Sequence, residues 1–326
     1  MSTTAEMSPG KARGLQRITT DDGFVLACAV DHITEFSELI EPAPDFTATV
    51  RAKADLLRKV APVTSAVLVD ALYGVGYAAL TGSVPRGVGL IVSLEDGDYS
   101  LSSPKATRYR PGWDARRALE SGVDAVKLLW WYRPEGDPQL ARSQRLTLRV
   151  LGAQCADLGV LLIVEPIWFP RPGDDSDPSW RAARAAEIVQ AAVTAEGLGA
   201  DVLKVQFPAD LDAPGGEALA VDTLARLDDA VRRPWVLLSA GVSFETFARQ
   251  LELACAAGAS GYIAGRSLWR EAVASTSRDR DGAVATMLER LAELNRVTRA
   301  HGRPALRELT VDSAVAALPE GWYEQR

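Results

Sequence analysis

The chain has 326 residues, 47% of them hydrophobic and 24% charged, which is long enough for a sizeable core and too apolar for a largely disordered protein. Its 36 basic and 43 acidic residues leave a net charge of -7, a poor bulk match to nucleic acid or an anionic membrane. Two histidines, three scattered cysteines and no CxxC pair argue against a zinc-type site and a disulfide framework, and no apolar run approaches the roughly 20 residues a membrane span needs.

Residues 1–20 are polar, with no apolar stretch behind the basic residues, and are expected to form a flexible tail and not a signal peptide. Cys28, Cys155 and Cys255 sit in apolar runs, as expected of buried thiols in a reducing, cytoplasmic compartment. Eight short apolar runs then follow at residues 24–31, 66–71, 87–95, 125–132, 159–167, 201–208, 234–241 and 261–269. Each is nearly continuous in apolar residues, the signature of parallel strands covered on both faces. Helical periodicity fills the gaps: 46–60, a short 77–80, a short 114–120, 139–158 closed by Gly159, a run from Ser243 to Gly258, and 283–295. This alternation predicts a single (β/α)8 TIM barrel over 21–300, with 301–326 as an irregular extension packed under the barrel or onto a partner subunit. The long polar loop 96–112 is expected to fold over the active face.

One motif argues for a doubly wound fold instead. Gly74-Val75-Gly76 follows a strand and opens a helix, with Glu95 about 20 residues on, the outline of a dinucleotide fingerprint. The third glycine is missing, and a tight strand-to-helix turn explains the same residues.

Catalytic groups of such barrels sit at the carboxyl ends of the strands. Four runs carry a charge where an apolar residue would pack better: Asp31, Lys127, Glu165 and Lys204. Lys204 shares parity with Val202 and Gln206, and Lys127 with Leu129 and Trp131. A buried lysine must lose its charge or find a carboxylate, and two of each in one barrel mouth allow that pairing. Such a set can be a structural ion-pair cluster, but four ionisable groups on barrel strands fit an active site better. The chemistry they suit is Schiff-base catalysis: a desolvated amine beside a second ammonium attacks a ketone, and a carboxylate moves the protons. The residues alone leave open which lysine forms the imine. Ser239, Gly241, Gly265 and Arg266 end strands seven and eight, where barrels of this class bind phosphate through backbone N–H groups and a cation.

The runs AVDH, GVDAVKLLWWY, IVEP, DVLKVQFP, LLSAGVSFETF and GASGYIAGRSLW resemble, in order over residues 20–275, the class I tagatose 1,6-bisphosphate aldolases, and share the pattern of the sulfofructose 1-phosphate aldolases. The resemblance implies a metal-independent, cofactor-free aldehyde-lyase that yields dihydroxyacetone phosphate and an aldehyde. It implies Lys204 as the imine-forming lysine, Lys127 as the second lysine, Glu165 as the proton shuttle, Asp31 as the group on substrate hydroxyls, and Ser239, Gly241, Gly265 and Arg266 as the phosphate loops. His32 stands where the family has Gln, with Ile33 in place of its Arg, and Gln206 where it has Glu, both at the expected substrate site. Trp130, Trp131, Trp168 and Phe169 suggest an apolar rim, and Arg108, Arg110 or Arg171 could meet a second phosphate. The implied partner is a sugar phosphate, with no nucleic acid or membrane and with a homo-oligomer as an option. The competing readings are an aldolase for another aldehyde, a silent sugar-phosphate-binding regulator and a nicotinamide enzyme.

Overall fold

The computed structural model describes residues 7–40, 44–96, 105–170, 174, 179–274, 279–306, 309–318 and 320–324. Strands β1 (Val25–Val30), β2 (Ala66–Val69), β3 (Gly89–Ser93), β4 (Ala125–Trp131), β5 (Leu161–Ile167), β6 (Val202–Val205), β7 (Trp235–Leu238) and β8 (Gly261–Ala264) pair in parallel in sequence order, and β8 closes on β1. Each lies inside one of the eight expected runs, so the chain is a (β/α)8 barrel. The eighth run stops early as strand because Leu268, Trp269 and Ala272 recur at helical spacing and bury one side of a helix.

The helices are α1 (Pro9–Ile18), α2 (Thr34–Ser37), α3 (Phe46–Val60), α4 (Val75–Thr81), α5 (Ala115–Glu120), α6 (Pro138–Leu158), α7 (Trp180–Gly197), α8 (Gly216–Ala230), α9 (Phe244–Ala257), α10 (Arg266–Ala274), α11 (Arg280–His301) and α12 (Val311–Ala317). Their ends follow local chemistry. Asp45, Asp114, Asp137 and Ser243 accept backbone N–H groups as N-caps, and Gly159 closes α6 at φ 66°.

Two layers of core result. Outward-facing strand residues such as Val126, Trp130, Leu162 and Leu203 pack under the helices. Inward-facing Val25, Ala27, Leu68, Ile91, Ala125, Ile163, Val202, Val236 and Ile263 fill the lower barrel. The expected tail at 1–20 is, from Pro9 to Ile18, a helix capped by Ser8 that plugs the barrel floor with fully buried Leu15 and Ile18. The Ser-Pro start and the three-residue spacing of its apolar pair were the local signals for it. The extension expected to be irregular passes under the barrel at Ala305, whose N donates to Gly23 O at 2.8 Å and which joins the floor cluster of Leu15, and then forms the short helix α12.

The Gly74 turn is set by sterics. A Cβ there would lie 2.6 Å from Asp70 O, and Val75 N bonds that same carbonyl. The turn reading therefore holds over the dinucleotide reading, because in a closed barrel this loop joins two neighbouring strands and not a crevice.

Candidate active site

Inward parity carries β1, β3, β4, β5 and β6 from an apolar floor to a charged mouth. Lys127 follows Ala125 on β4, Glu165 follows Ile163 on β5, Lys204 follows Val202 on β6, and Asp31 and Glu95 lie just beyond β1 and β3. The Lys127 ammonium is held by three carboxylates: Glu95 at 2.5 Å, Glu165 at 2.7 Å and Asp31 at 3.1 Å. Glu165 turns its other oxygen to Lys204 Nζ at 3.0 Å. The two lysines expected to face one another thus share a carboxylate placed between them. All five side chains are buried. They line one cavity of about 300 Å3 together with His32, Gln206, Ser239, Gly241, Gly265 and Arg266, apart from Glu95, which sits behind Lys127.

The cluster sets its own ionisation. Burial alone would raise the Asp31 carboxyl, but Lys127, His32 and Lys204 outweigh it and hold it well below the ordinary carboxylate range. Glu165 is likewise buried, and Lys127 and then Lys204 bring it below its usual value. Burial pushes the His32 imidazole down to about 4, with Asp31 opposing and Arg266 and the lysines adding to the fall. His32 is therefore neutral near pH 7, its Nδ1 is 3.5 Å from Asp31 Oδ1, and its ring stands edge-on to Trp269.

The opposite wall gathers the residues expected to receive a phosphate. Gly265 N donates to Ser239 Oγ at 3.3 Å. Arg266 opens α10 with its guanidinium against Gly241, where a Cβ would approach to 3.4 Å, and Gly241 is left-handed at φ 76°. Ala240 is also left-handed, at φ 48°, a local strain concentrated in this loop. Glu35 of α2 reaches within 4.0 Å of the Arg266 guanidinium. Gln206 does not pair with Lys204; its Oε1 accepts the Trp168 backbone N–H at 2.7 Å and so ties β5 to β6.

Three further groups belong to this site and escaped the sequence reading. Glu95 ends the third apolar run just as Asp31 ends the first, but its place in the dinucleotide outline masked that parallel. Besides Lys127 it accepts Leu129 N at 3.1 Å. Lys53, fully buried on α3, donates to Val30 O at 2.8 Å and His32 O at 2.7 Å, the two carbonyls that flank Asp31. Asp70 pairs with Lys53 and caps Leu72 N and Tyr73 N, so it fixes the ends of β1 and β2 together. The charge that ends the second run was the available signal for Asp70; Lys53 had none, because on a helix it reads as a solvated face.

The apolar rim is narrower than expected. Trp131 lines the cavity with Leu129, Ile167 and Leu238, and Phe169 meets its ring edge-on. Trp130 and Trp168 have the other parity and lie under the helices, where Trp130 Nε1 donates to Gln144 O. Arg108 and Arg110 are absent from the described cavity wall; Arg110 approaches Asp96 at 3.8 Å. Arg171 lies outside the described residues. Of the 96–112 loop, the described part after 104 packs against the mouth end of β4, with Thr107 bonded to Leu129 O and Trp131 N.

A buried lysine–carboxylate cluster in the mouth of a (β/α)8 barrel, beside the loops after β7 and β8, fits an aldolase-type barrel lyase. The model of the DeoC/LacD family aldolases matches residues 25–271, and the chain belongs to that family. It is 28% identical over 302 residues to the tagatose 1,6-diphosphate aldolase of Listeria monocytogenes, covering 87% of this chain and 88% of that one. The Lactococcus lactis enzyme of the same name is 26% identical over 314 residues, 88% of this chain and 94% of its own. In structure, a fructose-bisphosphate aldolase from Slackia heliotrinireducens superposes with a TM-score of 0.61 at 20% identity over 92% of each chain. The lyase expected from the residues is the activity class of this family.

Proposed function

We propose that the chain is a class I aldolase that cleaves or forms a ketose phosphate, giving dihydroxyacetone phosphate and an aldehyde, most like the tagatose 1,6-bisphosphate enzymes. The observation that carries this reading is Glu165, which contacts Lys204 and Lys127 with its two oxygens at 3.0 and 2.7 Å. Lys204 Nζ passes a proton to the Glu165 carboxylate 3.0 Å away, the freed amine attacks the substrate ketone, and Glu165 returns that proton to expel water from the carbinolamine. The protonated imine then draws the electron pair of the breaking carbon–carbon bond, while the hydroxyl on the departing carbon gives its proton to the Glu165 carboxylate and becomes the aldehyde; Glu165 holds that proton for the enamine. Protonation of the resulting enamine and hydrolysis of the imine free dihydroxyacetone phosphate and Lys204.

Lys127 is pinned by three carboxylates and Lys204 is held by one that it shares, which favours Lys204 as the nucleophile. In this reading Lys127 keeps Asp31 and Glu165 ionised and aimed, and Asp31 and the neutral His32 meet the substrate hydroxyls. Ser239, Gly241, Gly265 and Arg266 receive the phosphate, and Gln206 shapes the wall beside the imine. The catalytic unit is the single barrel domain 21–300, and no metal or cofactor takes part. Its three cysteines are buried free thiols, each pushed up to about 12 by burial, which fits a reducing cytoplasm.

The test is release of dihydroxyacetone phosphate from ketose phosphates in the presence of a strong chelator. Cleavage unaffected by the chelator is expected. Cleavage lost in the chelator and restored by a divalent metal would contradict the proposal.

A further inference from the structure

From 309 onward, none of the described residues of the C-terminal arm is buried. Helix α12 buries no residue, and Val311, Val315 and Tyr323 are 78%, 66% and 70% exposed, with Trp322 at 44%. Four large apolar side chains on one short segment form a surface that soluble monomers rarely leave open. From 309 to its end the arm carries Asp312, Glu320 and Glu324 against a single basic residue, Arg326, so carboxylates stand on both sides of its aromatic pair.

A second surface has the opposite character. Between the loop after β4 and the first turns of α6 lies a groove of about 590 Å3 with Tyr132, Pro134 and Leu146 on its walls. Arg142, Arg145 and Arg149 edge it, and no acidic residue lines it among the described residues. Leu146 and its neighbour Val150 are 59% and 60% exposed. Among the described residues, none of the three guanidiniums has an ion pair or hydrogen bond within the chain. Three unpaired arginines beside apolar side chains are unusual on a protein of net charge -7.

We propose that this groove receives the C-terminal arm of a second copy of the chain. Trp322 and Tyr323 lie on the apolar wall with guanidiniums over their faces, and Glu320 and Glu324 pair with the arginines at the edges. The arm leaves from beneath the barrel, where Ala305 bonds Gly23 before β1, whereas the groove opens near the carboxyl end of β4. Two copies therefore lie side by side and antiparallel, and a two-fold axis makes both arm–groove contacts equivalent. The contact is an interface of aromatic anchors and arginines, the residue types that dominate binding energy at such sites.

Sedimentation velocity of the full chain over a range of concentrations tests this. The wild type should self-associate. Trp322→Ala with Tyr323→Ala should weaken association at least tenfold, as should Arg145→Glu with Arg149→Glu; all four positions are on the surface, so folding should survive. The decisive arm mixes the Arg145→Glu/Arg149→Glu protein with a Glu320→Arg/Glu324→Arg protein. Neither should associate alone, and the mixture should form a heterodimer, because one wild-type contact and one charge-reversed contact are then both complementary. A wild type that is monomeric at all concentrations, including one whose arm folds onto its own groove, would overturn the proposal. So would an oligomer that both double variants leave intact, or a mixture that stays monomeric.

Discussion

The floor and the mouth of this barrel are built from the same strands and the same parity, yet they obey opposite rules. Along β4, β5 and β6 the inward positions read Ala125, Ile163 and Val202 below, and Lys127, Glu165 and Lys204 one layer above. The lower layer gains from every buried methylene, at roughly 25 cal/mol per Å2 of apolar surface. The upper layer desolvates five ionisable side chains and recovers that cost only through close pairing. Stability therefore resides in the floor, and the mouth is held in a costly arrangement that its chemistry requires.

The largest expected effects strike the mouth without touching the floor. Lys204→Ala should abolish turnover while the far-UV and thermal signatures of the barrel persist. Glu165→Gln should still bind substrate, with kcat lower by about 10²–10⁴-fold, since general acid–base catalysis contributes that much; a kcat within a few-fold of wild type would remove Glu165 from the proton path. Next come two variants that set the layers against each other. Lys127→Met takes the cation from buried Asp31 and Glu95, leaves Glu165 with Lys204 alone, and should cost about 3–5 kcal/mol of unfolding free energy. Leu68→Ala on the floor should cost a similar ~2–5 kcal/mol through its cavity, yet leave kcat nearly unchanged in the folded fraction. Equal kinetic damage from both would erase the distinction between layers.

Arg266→Ala is a smaller perturbation. A charge-assisted contact contributes roughly 1.5–3 kcal/mol, so KM for the phosphorylated substrate should rise with little change toward an unphosphorylated analogue. An undiminished preference for the phosphate would move the anion site elsewhere. The smallest effect is in pH. His32 falls from its ordinary 6.5 to about 4 in the fold, so the unfolded chain binds a proton that the native chain does not. Its contribution is complete above pH 6.5 and drains away as pH falls toward 4. Asp31 and Glu165, both lowered, lose their contributions at still lower pH, below their ordinary 3.8 and 4.5. Chemical unfolding between pH 7 and 4 should show the upper of these losses, and His32→Gln should flatten it.

The alternation of apolar runs made the barrel legible, because parallel strands buried on both faces must be apolar throughout. A charge in such a run stands out, which is why Asp31, Lys127, Glu165 and Lys204 could be read without a structure. Glu95 obeyed the same rule and was hidden only by a competing motif. Lys53 could not be read at all: its partners are two backbone carbonyls and Asp70, contacts that exist only after α3 packs on β1 and β2. The floor helix α1 reads as a tail because its apolar residues are few, and their burial depends on a barrel that the local sequence does not contain. Parity separated Trp131 from Trp130, but only the strand register made that parity certain.

The most direct measurement is borohydride reduction of the enzyme in the presence of dihydroxyacetone phosphate, followed by peptide mapping. The account predicts a single reduced adduct on Lys204, slower trapping in Lys127→Ala and none in Lys204→Ala. An adduct on Lys127 would invert the two lysines' roles, and no labelled lysine with any ketose phosphate would contradict the imine mechanism itself.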